Sequence, residues 1–135
     1  MTTQLTKDFV LESPQTLDIS ASFEASVEPH LHWYLSYEPE QGEDGEHIVI
    51  ATLHVADETG RAEVSLGARF RPVRDHKWTT EELGNRIKAS SALETLYDVA
   101  STNIRMVAAL TSLAVNLPHK APAADVEIFA TPATE

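Results

Sequence analysis

The segment His47–Phe70 reads HIVIATLHVADETGRAEVSLGARF, and its alternation decides the fold. Val49, Ala51, Leu53 and Val55 recur at every second position. Val64, Leu66, Ala68 and Phe70 do the same beyond the polar turn Asp57-Glu58-Thr59-Gly60. Successive side chains on a strand point to opposite faces, so this spacing predicts two half-buried strands, His47–Ala56 and Ala62–Phe70. Ile48 and Ile50 make the first half of the earlier strand apolar on both faces. The apolar positions are odd in one strand and even in the other. Both sets share a face only where odd residues pair with even ones, which predicts a register pairing Val55 with Val64, or a bulge at Gly60.

Upstream the same period continues. Leu31, Trp33, Leu35 and Tyr37 predict a second strand, joined to the third by the polar Pro39–Glu46 loop. Leu17, Ile19, Ala21, Phe23, Ala25 and Val27 predict a first strand, broken from the second by Pro29, which lacks a backbone donor. Downstream of Pro72 the period becomes helical. Thr79-x-x-Glu82 and Ser91-x-x-Glu94 each fit a capping box, opening helices over Thr80–Lys88 and Ser91 to about Leu113. Gly84 weakens the first by about 1 kcal/mol relative to Ala. The second carries the stripe Leu93, Leu96, Tyr97, Ala100, Ile104, Val107 and Ala108, with Met106, Leu110 and Leu113 as a second apolar face. Val126–Phe129 reads as a last short apolar anchor and Ala130–Glu135 as a frayed tail. Strands followed by helices predict one α+β domain over residues 1–135: a four-stranded antiparallel sheet with a long helix packed on one side.

Composition narrows the function classes. There are no cysteines, which excludes disulfides, thiol catalysis and cysteine-ligated zinc. The formal net charge is −11, from 21 acidic residues against 10 Lys plus Arg, and such a surface repels nucleic-acid phosphates. The start MTTQLTKDF lacks a basic segment followed by an apolar run, and no apolar stretch reaches membrane-spanning length, so a cytoplasmic location is expected. No Gly-rich phosphate loop, nucleophile elbow or triad signature is present, so neither catalytic residues nor a cofactor is expected. His30 and His32 share a strand face, and a hairpin could set His54 opposite His30. Three such histidines could hold zinc, nickel or copper. With no HExxH spacing and no cysteine partner, ordinary strand histidines are the expectation, with no metal.

Four segments, in order, resemble the SecB family of protein-export chaperones. Thr6-Lys7-Asp8-Phe9-Val10-Leu11-Glu12-Ser13-Pro14 resembles its N-terminal motif. Glu28-Pro29-His30-Leu31 resembles the approach to its first long strand. Leu96-Tyr97-Asp98-Val99-Ala100-Ser101 resembles the start of its main helix, and Leu117-Pro118-His119-Lys120-Ala121-Pro122 the Pro-containing segment that follows. The family's motif phenylalanine is Leu11 here, Glu63 is the only acid placed to replace one expected in mid-strand, and the family's C-terminal helix is not expected in the Pro/Ala-rich tail. The resemblance implies a four-stranded sheet with a long helix, a dimer of dimers with the long helices at the interface, and ATP-independent holding of unfolded polypeptides. Typical members pass clients to the SecA motor; SecB-like members of toxin–antitoxin systems protect antitoxins.

Site expectations follow. An unfolded client needs exposed apolar surface, worth about 25 cal/mol per Å² buried, with no fixed geometry. The candidates are Trp33, Phe70, Trp78, Leu83 and Ile87, although patterned strand aromatics also make ordinary core. By resemblance, Asp8 and Glu12 are the SecA-docking acids; Tyr97, Ile104, Met106 and Leu110 are the candidate oligomer interface. The competing class is a small acidic structural or assembly protein, phage-derived, that binds a folded partner.

Overall fold

A computed structural model describes residues 5–23, 29–57, 59–111 and 115–129. The elements run β1 (Phe9–Ser22), β2 (His30–Tyr37), β3 (His47–Ala56), β4 (Arg61–Pro72), α1 (Thr80–Lys88), α2 (Ser91–Thr111) and β5 (Asp125–Ile128). They form one five-stranded sheet in the order β1-β4-β3-β2-β5. The four long strands pair antiparallel, and β5 adds to β2 in parallel, with Leu35 opposite Val126. The expected apolar anchor at Val126–Phe129 is therefore a fifth, edge strand, and the sheet is mixed. Ala25 and Val27, Leu113 and the tail 130–135 lie outside the described residues.

The parity argument holds, with a different register. Ala56 pairs with Arg61, Val55 with Ala62 and Leu53 with Val64. Four loop residues separate the paired ends, and an even loop matches odd positions to even ones without a bulge. Asp57 closes that loop: its carboxylate accepts from the backbone N–H of Thr59 and of Gly60.

β1 begins at Phe9, eight residues before the expected start. Register shifts between Glu12 and Gln15 and between Thr16 and Asp18 interrupt its alternation, and Ser13 stands at φ 51°. Thr16 faces Leu66 and Ile19 faces Val64, so both point to the helix side, while Leu17 is pushed to the other face over Gly67. An extra residue in a strand reverses which face later side chains take.

One face of the sheet carries the core. Leu35, Val49, Ala51, Leu53, Val64, Leu66 and Phe70 are fully buried there against Leu83 and Ile87 of α1 and Leu96, Tyr97, Ala100 and Ile104 of α2. Trp33 and Tyr97 meet edge to face, ring centroids 5.5 Å apart, joining β2 to α2. Helix α1 has the expected capping box, Thr79 with Glu82. Helix α2 does not use Ser91: the buried Ser90 hydroxyl accepts from the Leu93 N–H at 3.2 Å. Glu94 instead accepts from the Ala121 N–H at 3.1 Å, and the Tyr97 hydroxyl donates to the Pro118 carbonyl at 2.8 Å. These two bonds fold the post-helical segment back over α2. The N-terminal segment is tied to the same place, through Thr6 N–H to the Ala89 carbonyl and Ser91 N–H to the Thr6 carbonyl. No helix among the described residues is long and apolar enough to cross a membrane.

Candidate functional site

Of the five residues expected to meet a client, four are interior. Trp33 is 2% exposed, Leu83 2%, and Phe70 and Ile87 0%, so in this conformation they belong to the core, and of the four only Trp33 lines a surface cleft. The reason is the one that makes alternation readable: residues on the patterned faces are those the fold covers. Trp78 alone is partly open. It precedes the α1 cap, stacks on His76 at 3.9 Å, meets Phe9 edge to face at 5.7 Å, and lies under the Arg86 guanidinium at 5.0 Å. Behind His76 lies His47, buried and 3.4 Å away between Nε2 atoms. Burial holds both imidazoles below the usual histidine range.

The four residues expected at an oligomer interface divide in the same way. Tyr97 and Ile104 are 0% exposed within the subunit's own core, whereas Met106 is 58% and Leu110 83% exposed. Helix α2 thus keeps an outward apolar pair one turn apart. Both docking acids have partners within the chain: Asp8 pairs with Arg86 at 3.4 Å and Glu12 with Arg71 at 2.6 Å.

The histidine trio shares the open face of the sheet. The register sets His54 opposite His32, where His30 had been expected, and His30 stacks diagonally on His54 with centroids 5.0 Å apart. His32 pairs with Asp125 at 2.7 Å and His54 with Glu63 at 3.4 Å. Among the described residues no group of three or more His, Asp or Glu side chains is placed to hold a metal ion.

The surface that remains apolar lies mostly away from the residues expected to meet a client. On the open sheet face Leu17, Ile48 and Ile50 are exposed beside Gly67. At the α1–α2 junction a cleft of about 440 Å³ opens over Trp33, walled by Leu5, Leu93, Ala121 and Ala124. A second groove of about 520 Å³ follows β5, between His32 and Tyr34 on one side and Lys88 on the other. Lys88 borders both. The cleft draws on four separated stretches of the chain, so no local motif announces it.

The described chain superposes on the Mycobacterium tuberculosis SecB-like chaperone Rv1957, solved in complex with a ChAD peptide from the HigA1 antitoxin. The TM-score is 0.63 at 14% identity, covering 82% of this chain and 86% of that one. The fold is SecB-like. A protein of unknown function from Streptococcus agalactiae also matches, with a TM-score of 0.42 at 11% identity over 84% of this chain and 98% of that one. No family model matches the sequence, and no curated protein matches it significantly. Against the SecB-like expectation of four strands, β5 is the addition, and the core of four antiparallel strands with a long helix is as expected.

Proposed function

We propose that the chain is a molecular chaperone that holds unfolded polypeptides without ATP, acting as a cytoplasmic homo-oligomer and not as an enzyme. The observation that carries this reading is the SecB-like fold, shared with a chaperone solved with an antitoxin peptide. Three features support it. Apolar side chains stay exposed on both sides of the sheet, at Leu17, Ile48 and Ile50 on one and at Met106 and Leu110 of α2 on the other. Large exposed apolar surface on a folded domain marks sites of association. The formal charge of −11 keeps such a surface soluble. The client is a preprotein or an antitoxin. The ion pairs of Asp8 and Glu12 are part-exposed and worth little to the fold, so a basic surface on a partner such as SecA can displace them.

Light scattering on the purified protein, alone and with a chemically unfolded client in nucleotide-free buffer, tests the proposal. A multi-subunit particle that takes up the unfolded client and ignores its native form is the expected result. A monomer inert toward several unfolded clients overturns it.

A further inference from the structure

We propose that the open face of the sheet, the side away from α1 and α2, packs face to face on the same face of a second copy, with Leu17, Ile48 and Ile50 at the centre and Arg69 of each copy paired to Asp18 of the other. This goes beyond the chaperone reading. It also lies on the opposite side of the sheet from the α2 contact expected of Met106 and Leu110.

Two departures from regular strand structure build the patch. The register shift between Thr16 and Asp18 inserts Leu17 as an extra residue. Thr16 and Ile19 keep their places on the core side, opposite Leu66 and Val64, while Leu17 is turned out onto the open face. Position 67 of β4 is Gly, where a Cβ would lie 3.2 Å from Leu17 Cδ1, so its absence lets Leu17 lie flat across the strand. Gly inside a strand weakens it, and a leucine left in water contributes no burial to a lone subunit. Ile48 and Ile50 of β3 complete the patch: Ile50 pairs with Gly67, and both isoleucines are exposed. A bulge and a glycine that together raise apolar surface into solvent serve a surface that something covers.

The charges around the patch say what covers it. In register Arg69 stands opposite Ile48 and Asp18 opposite Ser65, so the two flank the Ile50–Gly67 row, one on each side. Both are exposed. Glu12 and Arg71 pair with each other at 2.6 Å, and among the described residues neither Arg69 nor Asp18 has an ion-pair partner. A twofold axis running across the strands at that row lays the apolar trio on its copy. It carries Arg69 over the second copy's Ser65, one strand spacing of about 4.8 Å from Asp18, which an arginine side chain spans. The pair then forms twice. Stacked sheets with aligned strands interdigitate their side chains in this way.

The acidity of the chain does not oppose the contact, because Glu12, Asp18, Arg69 and Arg71 cancel around the patch. An unfolded client gains nothing from one cation and one anion fixed on opposite sides of an apolar centre. A twofold contact requires that arrangement, since the same surface must complement itself.

Light scattering on the full chain tests the contact. Arg69→Asp and Asp18→Arg, both at exposed positions, are each expected to halve the particle mass with an unchanged melting temperature. The double variant is expected to recover the mass, because reversal at both positions re-forms the pair. Leu110→Glu, on the other side of the sheet, should leave at least a dimer, which Arg69→Asp then splits. A mass unchanged by either reversal, a double variant that does not reassemble, or a Leu110→Glu protein that is already monomeric overturns the inference. If Arg69→Asp keeps its mass and binds reduced, carboxymethylated lactalbumin more weakly, the face belongs to the client: the inference fails and the chaperone reading stands.

Discussion

The Nε2 atoms of His47 and His76 lie 3.4 Å apart, and the bonds around the two rings leave one proton between them. His47 Nδ1 sits 3.0 Å from the Glu38 carbonyl, which can only accept, so that nitrogen carries a hydrogen. His76 Nδ1 lies 3.3 Å from the Trp78 backbone N–H, which can only donate, so that nitrogen is bare. With both rings neutral these contacts make His76 Nε2–H the donor to His47 Nε2, so the Gln41 amide nitrogen, 3.4 Å from the same His76 atom, has no acceptor there and donates to the Gly45 carbonyl instead. A further proton on either ring sets two donors against each other.

This arrangement predicts acid sensitivity. Desolvation lowers the pKa of both histidines; Glu38 and Glu46 facing His47, and Asp75 beside His76, oppose the shift without cancelling it. The unfolded chain takes up these protons near pH 6.5, before the folded one does, so the contribution is intact above about 6.5 and is lost as pH falls below it. The melting temperature should drop more between about pH 7.5 and 5.5 in the wild type than in His76→Gln, whose amide replaces the imidazole without titrating. Trp78, stacked on His76, should change its emission over the same range. Equal drops in the two proteins would remove the pair as the cause.

Helix α2 should separate folding from association. Ile104 is fully buried under the sheet, and Ile104→Ala is expected to cost about 2–5 kcal/mol in urea unfolding. Leu110, 83% exposed, should change monomer stability by about 0.5 kcal/mol or less on replacement by Glu, and should lower the particle mass seen by light scattering. A Leu110→Glu protein of unchanged mass would place the subunit contact elsewhere.

The α2 cap gives a narrower test. Ser90 and Ser91 differ by one position, and only the Ser90 hydroxyl accepts from the Leu93 N–H. Ser90→Ala should cost about 1 kcal/mol, while Ser91→Ala should be close to neutral. The reverse ranking would restore the Ser91 box suggested by the spacing to Glu94.

How much was legible depended on how local the signal was. β2, β3, β4 and both helices show in the sequence because their apolar residues repeat without interruption, and Thr79 with Glu82 marks the start of α1. The pattern of β1 starts only at Leu17 because the extra residue there and the turn of the backbone at Ser13 break the alternation between Phe9 and Ile19. β5 shows in the sequence only as a short apolar anchor, since four residues are too few to establish a period and a parallel partner needs no turn signal. The site was less legible than the fold. The alternation that picked out Trp33 and Phe70 is a signal of burial, so it drew attention to side chains the fold encloses. The cleft is built from Leu5, Lys88, Leu93 and Ala121 brought together by the Thr6–Ser91 and Glu94–Ala121 bonds, none of which has a sequence pattern.

Gly84 is a residue whose role the helix pattern inverts. In an open helix, replacing Gly by Ala gains about 1 kcal/mol. Here a Cβ at position 84 would lie 2.9 Å from the Tyr37 hydroxyl oxygen. Tyr37 is buried in the sheet, and its hydroxyl donates to the Thr80 carbonyl at 2.9 Å, so the ring has little room to withdraw. Glycine at this position therefore lets α1 approach β2 closely. Gly84→Ala should destabilise by about 1 kcal/mol, the overpacking cost exceeding the gain in helix propensity. In a Tyr37→Phe background the obstructing oxygen is gone, and the nearest ring carbon, 3.5 Å from the added Cβ, is at ordinary contact distance. The same substitution should then stabilise, giving a coupling of about 1–2 kcal/mol in a urea-unfolding double-mutant cycle. Additive effects, or a Gly84→Ala protein more stable than the wild type, would show that the tyrosine moves aside and that the glycine is not required for the helix to pack.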